Sequence, residues 1–390
     1  MRTRIRGGKV LSPDGFIDAD LTLETNGDDG RIAALDAASA CDRVLDASGL
    51  LVLPGAVDVH GDAFERQMEP RPGVAMDLDV ALLETDRQLL GNGITTAYHA
   101  VTWSWEPGLR DSANARALLA AIGRLRPRLG ADTRYHLRHE TFNLDAEPEM
   151  LTWLAERRVD CLAFNDHMNA TIKDRHRPDK IAGMVTRSGL SEQEFQAVVE
   201  RTYARRDEVP GSIVRLAAAA RSAGVPVLSH DDLSVDHRRR FRELGVRIAE
   251  FPVTAEVAEA AAGAGDSTVF GAPNVLRGGS HTGCPPAAEM VRSGLCTILA
   301  SDYYYPALLL APFRLAELGI VPLEQAWRLV SGNPAGAMGL TDRGTIEVGK
   351  RADVILVDAA GGPHARVVAT IAGGLTRYLA DGARQVHPAR

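Results

Sequence analysis

Cysteine is scarce in this chain of 390 residues, and its scarcity limits what can hold the fold together. The four cysteines, Cys41, Cys161, Cys284 and Cys296, form no Cys-x-x-Cys pair. Disulfide frameworks are typical of short, cysteine-rich secreted chains. We therefore expect four free thiols and a reducing, cytoplasmic environment.

Long hydrophobic runs and an excess of positive charge are also missing. No apolar stretch approaches the about 18 residues that a bilayer crossing needs. The charged start, Met1–Lys9, is followed by no apolar segment of the kind found in signal peptides. A net charge of −7 argues against a general surface for nucleic acid or anionic membranes. We expect a soluble protein that binds neither, while a local cationic pocket stays compatible with this charge.

Alternation of short apolar strands with helical stretches dominates the middle of the chain, as in parallel α/β folds. The eight strand candidates are Leu51–Asp62, Ile94–Val101, Arg134–Thr141, Asp160–His167, Pro226–His230, Arg247–Phe251, Thr268–Ala272 and Thr297–Asp302. Eight such units predict a TIM-like (β/α)8 barrel with its reactive groups at the carboxyl ends of the strands. An open doubly wound sheet is the alternative, but no Gly-x-Gly-x-x-Gly follows the first strand of this region.

Both ends of the chain read instead as short strands separated by turn residues. We predict that residues 1–52 and 341–390 pair into one small β-sandwich domain beside a catalytic barrel of residues 53–340. The segment Asp166–Ser191 is long and charged. It predicts either an extended loop over the site or a disordered excursion.

Metal-ligating residue types stand where five of the strand candidates end. His60 and Asp62 are two positions apart, so on a strand they point to the same face. The other four ends carry Glu140, then Asp166 and His167, then His230, Asp231 and Asp232, and finally Asp302. One such pair also suits a strand that simply meets solvent. Five ends in one barrel favour one or two divalent metal ions, with Zn²⁺ the expected ion and Mn²⁺ or Fe²⁺ open.

Two of these carboxylates have candidate roles in catalysis. Glu140 can bridge two ions about 3.5–4 Å apart, a centre that ionises water near neutral pH. It can instead pair with Arg138 or Arg66 and be structural. Asp302 is the candidate catalytic residue, accepting a proton from the attacking water and returning it to the leaving group.

A second set of residues suits an anion. Arg66 and Arg71 follow the first strand candidate, and Arg277, Gly278, Gly279, Ser280 and His281 follow the seventh. Glycines let backbone N–H groups approach a phosphate, and arginines add charge-assisted hydrogen bonds. Beside a metal centre this set favours a small phosphorylated substrate, although an ordinary flexible loop remains the alternative. A homo-oligomer is left open.

Three motifs resemble the amidohydrolase superfamily: Leu-Pro-Gly-x-x-Asp-x-His at 53–60, Asn-Pro-Ala at 333–335 and Gly-x-Ile-x-x-Gly-x-x-Ala-Asp at 344–353. More narrowly, Gly271–His281 and Ser301–Tyr304 are similar to segments of the PhnM-type enzymes of the carbon–phosphorus lyase pathway. The resemblance implies a metal-bearing (β/α)8 barrel with a terminal β-sandwich. It also implies hydrolysis of α-D-ribose 1-methylphosphonate 5-triphosphate to the 5-phosphate and diphosphate, in phosphonate catabolism. The residues that it places around the metals are His60, Asp62, Glu140, His167, His230 and Asp302.

Two segments depart from that family. Its usual His-Thr-Asp-Asn is His60-Gly61-Asp62-Ala63 here, and residues 168–173 replace its usual Ser-Pro-Gly-Gln. The departures bear on the substrate more than on the metal. Hydrolysis of an amide or cyclic C–N bond is therefore the alternative activity. A scaffold without catalysis is a third reading, which the retained ligand types oppose.

Overall fold

The computed structural model describes residues 1–27, 29–36, 40–71, 73–175, 177–280 and 283–386. The strands are β1 (Arg2–Ser12), β2 (Gly15–Asn26), β3 (Asp29–Leu35), β4 (Arg43–Asp46), β5 (Leu51–Pro54), β6 (Ala56–Gly61), β7 (Ile94–Trp103), β8 (Asp132–Glu140), β9 (Cys161–Asn165), β10 (Val227–His230), β11 (Ile248–Glu250), β12 (Ser267–Gly271), β13 (Ile298–Ala300), β14 (Val354–Asp358), β15 (Arg366–Ala372), β16 (Leu375–Leu379) and β17 (Gln385–Val386).

The α-helices follow most of the barrel strands. They are α1 (Glu65–Met68), α2 (Leu78–Gly91), α3 (Ser112–Leu125), α4 (Glu147–Ala155), α5 (Met168–Asp174), α6 (Pro178–Ser188), α7 (Glu192–Tyr203), α8 (Val209–Ala223), α9 (Val235–Glu243), α10 (Ala255–Gly263), α11 (Ala272–Arg277), α12 (Ala287–Arg292), α13 (Pro306–Glu317), α14 (Leu323–Arg328) and α15 (Gly332–Ala337). Across the described ranges, no helix has both the length and the apolar character that a membrane crossing requires.

Strands β6 to β13 form one parallel sheet in which each strand pairs with its neighbour in the sequence. The sheet nearly closes on itself, because a bridge between Gly61 and Asp302 joins its first and last strands. The N–H of Asp302 donates to the carbonyl of His60, and the N–H of Asp62 donates to the carbonyl of Asp302, both at 2.9 Å. The predicted (β/α)8 barrel is confirmed, and its closure lies beside the predicted metal ligands.

A buried carboxylate also joins the first and last strands of the barrel. Asp58 on β6 accepts hydrogen bonds from the N–H and the hydroxyl of Ser301, which follows β13. It also accepts one from the N–H of His60 at 3.3 Å. Burial raises the pKa of Asp58, although these hydrogen bonds favour its charged form. The contacts join β6 to the end of β13 at the level of the predicted site.

The first strand prediction, Leu51–Asp62, is wrong in one respect. The run divides at Gly55 into β5, which pairs with β1 and β14, and β6, which belongs to the barrel. A Cβ atom at position 55 would collide with the side chain of Thr95. Glycine thus permits the close approach at which one apolar run passes between two sheets.

Strands from both ends of the chain build a second, nine-stranded mixed sheet, as expected. β14 pairs antiparallel with β5, while β1 pairs parallel with β4 and β5. Its core includes the buried residues Ile5, Leu21, Val52, Val354 and Leu356. The domain limits at 52/53 and 340/341 stay a prediction.

The segment between β9 and α7 is helical, so its prediction as an extended loop or disordered excursion is wrong. It contains α5 and α6, and α6 ends at Gly189 with φ of +68°. Ile181 and Met184 of α6 pack with Phe195 of α7 in a small core. Lys173, Arg177 and Asp179 of this segment are exposed, and its many charges obscure the apolar spacing in the sequence.

Candidate metal centre

Four of the six predicted ligands meet at one pocket in the barrel mouth. His60, Asp62, His230 and Asp302 line this cavity of about 200 Å³. Ligand atoms of His60, Asp62 and Asp302 all lie within 4.8 Å of one another. The rings of His60 and His230 are stacked, with centroids 5.5 Å apart. Residues from β6, β10 and the turn after β13 therefore converge on one point.

Glu250, at the end of β11, is a site residue that the sequence analysis missed. Its carboxylate is fully buried, with Oε1 2.7 Å from Nδ1 of His60 and Oε2 2.8 Å from Nδ1 of His230. Burial alone would raise its pKa, but the neighbouring imidazoles outweigh burial and hold the pKa well below its usual range. The local signal was limited to the position of Glu250 as the carboxylate of the strand candidate Arg247–Phe251, which a solvated strand end would also show.

The donors around this pocket fit a divalent metal ion. When Nδ1–H of each imidazole donates to Glu250, Nε2 keeps a lone pair for a cation, as in carboxylate–histidine–metal arrangements. Asp62 and Asp302 add oxygen donors, and such a set of nitrogen and oxygen ligands suits Zn²⁺, Mn²⁺ or Fe²⁺. Burial lowers the pKa of His230; at His60 burial is outweighed by the attraction of Glu250, which raises the pKa.

Backbone strain marks the same strand ends. Asp302, Asp231 and Phe251 have φ values of +54°, +56° and +54°, in the left-handed region that favours glycine. Such conformations cluster at functional sites, where the surrounding structure holds them in place.

Burial and the negative charge of Asp62 raise the pKa of Asp302 to about 6. A carboxylate with this pKa is suited to accept a proton near neutral pH.

A buried arginine places positive charge between these ligands. Nη2 of Arg138 lies 3.0 Å from Nε2 of His230, and its Nη1 lies 3.8 Å from Oδ2 of Asp62. The guanidinium has no acceptor, so the Nε2 atom facing it must carry the lone pair. The Nε2 lone pair of His230 and the carboxylate of Asp62 thus both face a cation, the guanidinium of Arg138.

Glu140 and His167, the other two predicted ligands, pair with each other. Nδ1 of His167 lies 2.6 Å from Oε1 of Glu140, and the N–H of His167 donates to Oε2 at 3.2 Å. Burial would raise the pKa of Glu140, but His167 and Arg138 lower it to about 2. Both residues line an adjacent cavity of about 290 Å³. Their assignment as ligands, and Glu140 as a bridge, stay predictions.

The predicted anion-binding arginines lie around the rim. Arg66 and Arg71 line a groove of about 520 Å³ between α1 and α6. The guanidinium of Arg66 lies 6.0 Å from the ring centre of Tyr303, and Nη1 of Arg277 donates to the Tyr303 hydroxyl at 3.4 Å. Tyr303 lines the metal pocket. Two arginines therefore reach the edge of the pocket through one tyrosine.

The glycine-rich loop has a structural task in addition to any role in binding. Gly278 ends α11 with φ of +79°, and the N–H groups of Gly278 and Gly279 both donate to the carbonyl of Asn274. These two N–H groups are occupied here, so the predicted phosphate contacts of the loop rest on Arg277 and on Ser280, which lines the metal pocket. His281 lies outside the described residues.

Comparisons with known proteins agree with this fold. The sequence model of the amidohydrolase family matches residues 188–378. A 5-methylthioadenosine/S-adenosylhomocysteine deaminase of Halobacterium salinarum is 25% identical over 397 residues, covering 91% of this chain and 84% of that protein. The solved structure of a Xaa-Pro dipeptidase with bound methionine superposes with a TM-score of 0.64 at 15% identity, covering 96% of this chain and 99% of that one.

The alpha-D-ribose 1-methylphosphonate 5-triphosphate diphosphatase of Escherichia coli (strain K12) is 33% identical over 363 residues, covering 90% of this chain and 94% of that protein. With a relative of this similarity and a barrel of this kind, the chain belongs to the amidohydrolase family.

Proposed function

We propose that this hydrolase uses a divalent metal to cleave a phosphoanhydride bond of a ribose 5-triphosphate. The proposed substrate is α-D-ribose 1-methylphosphonate 5-triphosphate, and the products are the 5-phosphate and diphosphate. The observation that carries the metal chemistry is the Glu250 carboxylate, which orients His60 and His230 beside Asp62 and Asp302. The name of the E. coli relative supports the substrate. The free cysteines support a cytoplasmic setting.

Each side chain at the mouth has a part in this reaction. His60, Asp62, His230 and Asp302 would hold a divalent metal ion, which would supply acidification of water and charge neutralisation at the phosphoryl oxygens. Asp302 accepts the proton of the attacking water and returns it to the departing diphosphate. Arg66 and Arg277, which both lie close to Tyr303, hold the polyphosphate by charge-assisted hydrogen bonds. Positioning and charge neutralisation supply most of the catalysis in phosphoryl transfer.

Hydrolysis of a C–N bond is the second candidate. The deaminase from Halobacterium salinarum favours it, as does glycine at position 61, where the diphosphatase-type enzymes usually carry threonine. The same water would then attack carbon, and the arginines at the rim would have no phosphate to hold. The two candidates therefore differ in which side chains the reaction needs.

A product assay separates them. Purified protein loaded with Zn²⁺ or Mn²⁺ is offered ribose 5-triphosphates on one side and amides or cyclic amidines on the other. Release of diphosphate, lost in His230→Ala and Asp302→Asn, supports the proposal. Release of ammonia or amine without any diphosphate overturns it in favour of C–N hydrolysis.

A further inference from the structure

A second cavity opens beside the metal pocket. This cavity, the side pocket, is the one of about 290 Å³ that Glu140 and His167 line. Its other walls come from the end of β7, the loop after it, and helices α5 and α6. The lining residues used below are Thr102, Trp105, Glu106, Arg110, Thr171 and Asp174. None of these belongs to the predicted ligand set.

Two residues of this wall carry a buried polar atom that can form a hydrogen bond. Oγ1 of Thr102 and Nε1 of Trp105 have no hydrogen-bond partner within the described ranges. The residue Thr102 is only 4% exposed. By contrast, Thr171 in the same wall donates its hydroxyl to the carbonyl of His167 at 2.8 Å. Buried polar atoms without partners are rare and costly, so a ligand that formed hydrogen bonds with these two atoms would be stabilised.

The charge of the side pocket selects against a phosphate. Its cations are already engaged, because Arg110 binds both oxygens of Glu65 at 3.0 and 2.9 Å, and His167 pairs with Glu140. Glu106 adds negative charge to the wall, and so does Asp174, although Oδ1 of Asp174 lies 3.9 Å from Nη1 of the exposed Arg177. Carboxylates repel phosphates but accept hydrogen bonds from hydroxyl groups. The threonine hydroxyl and the indole N–H complement such groups, since both can donate to hydroxyl oxygens.

We propose that the side pocket binds the ring hydroxyls of the sugar, with Thr102 and Trp105 as the residues that recognise them. This proposal rests on the proposed function, because it assumes a ribosyl substrate. The polyphosphate then points away from Glu106 and Asp174, toward the arginines at Tyr303. The charge distribution of the mouth thus fixes which end of the substrate enters which pocket.

Binding of ribose 5-phosphate and of diphosphate tests the proposal without relying on turnover. Thr102→Val keeps the shape of the side chain and removes its hydroxyl, and Trp105→Phe removes the indole N–H. Thr152→Val, an exposed position whose hydroxyl bonds the carbonyl of Pro148, is the matched control. We expect each pocket variant of the metal-loaded protein to weaken ribose 5-phosphate about tenfold in calorimetry, the cost of one hydrogen bond. Diphosphate affinity and the control are expected to match wild type.

The outcomes separate the two proposals. Unchanged ribose 5-phosphate affinity in both folded variants, or no binding to wild type, overturns the side-pocket assignment. Equal loss of diphosphate binding also overturns it, because the effect would then be general rather than specific to the sugar. If the variants behave as expected but wild type releases no diphosphate from ribose 5-triphosphates, the pocket stands and the proposed reaction fails. Trp105→Phe keeps the test decisive if Thr102→Val does not fold.

Discussion

His60 and Glu250 are 190 positions apart in the chain, yet Nδ1 of the imidazole lies 2.7 Å from Oε1 of the carboxylate. The other oxygen of Glu250 holds His230 in the same way at 2.8 Å. One buried carboxylate therefore fixes the tautomer and the orientation of two imidazoles at once. This shared acceptor is the structural basis of the proposed metal site.

Replacing Glu250 with glutamine should loosen that site. The amide has one acceptor oxygen, so its NH₂ group would face the N–H of one of the two imidazoles. We expect metal affinity to fall about 10- to 100-fold, the usual effect of losing such a partner. Competition with a metal-binding dye measures the affinity, and Glu243→Gln, at an exposed position of α9, is the control. Wild-type affinity in Glu250→Gln would show that the carboxylate does not position the ligands.

Position 61 should tolerate only glycine. A Cβ atom there would lie 2.7 Å from Oδ2 of Asp58 and 3.0 Å from Cε1 of Tyr305. We expect Gly61→Ala to reduce stability by about 1–3 kcal/mol, as overpacking does. It should also lower turnover, because relief of this crowding would displace His60 and Asp62, which flank position 61.

The control for this substitution is Gly123→Ala on α3, where nothing lies within 4 Å of an added Cβ atom. Alanine in a helix is about 0.5–1 kcal/mol better than glycine, so this variant should be as stable as wild type or more stable. Thermal unfolding and a turnover assay on both variants provide the comparison. Equal unfolding temperatures for Gly61→Ala and wild type would contradict the close packing seen here.

Asp132 should make stability depend on pH near the bottom of the barrel. Burial would raise its pKa, but Arg134 and Arg343 outweigh burial and hold the pKa below its ordinary value of 3.8. A lowered pKa stabilises the fold above the ordinary value, and this contribution disappears as pH falls through the lowered value. We expect Asp132→Asn to lose about 2 kcal/mol at pH 7, and progressively less as the pH falls below 3.8. Urea unfolding over a series of pH values from 7 downward measures this, with the exposed Asp14→Asn as control; a difference that does not shrink below pH 3.8 would refute the ion-pair explanation.

Arg277 should act on binding rather than on the chemical step. It lies at the pocket edge, with Nη1 donating to Tyr303 at 3.4 Å. If it holds the polyphosphate, Arg277→Gln should raise KM for a ribose triphosphate about tenfold through the loss of a charge-assisted hydrogen bond, with kcat little changed. Arg87→Gln, exposed on α2, is the control. A wild-type KM in Arg277→Gln would remove this residue from the substrate site.

The barrel could be predicted from the sequence because eight apolar runs recur with helical stretches between them. His60, His230 and Asp302 were recognisable because each ends such a run. The division of the first run at Gly55 was not, since both halves are apolar and only the partner strands differ. Which sheet a strand joins is a tertiary property that its own residues do not encode.

The pairings within the site were harder to predict than the residue types. Glu250 stands in a strand of three residues, and its partners come from β6 and β10. Nothing in the local sequence distinguishes it from a carboxylate at a solvated strand end. Likewise, the pairing of Glu140 with His167 depends on where α5 begins, in a segment whose charges hid its helices. Local patterns thus located the mouth of the barrel, while long-range contacts set its geometry.

Diphosphate release by metal-stripped and metal-restored protein tests the proposed metal chemistry most directly. The protein is stripped with a chelator, its metal content is checked by elemental analysis, and α-D-ribose 1-methylphosphonate 5-triphosphate is added with and without Zn²⁺ or Mn²⁺. We expect no release from the stripped protein and full recovery when the ion returns, with His230→Ala failing to recover. Release at full speed from protein shown to be free of metal would contradict the central claim.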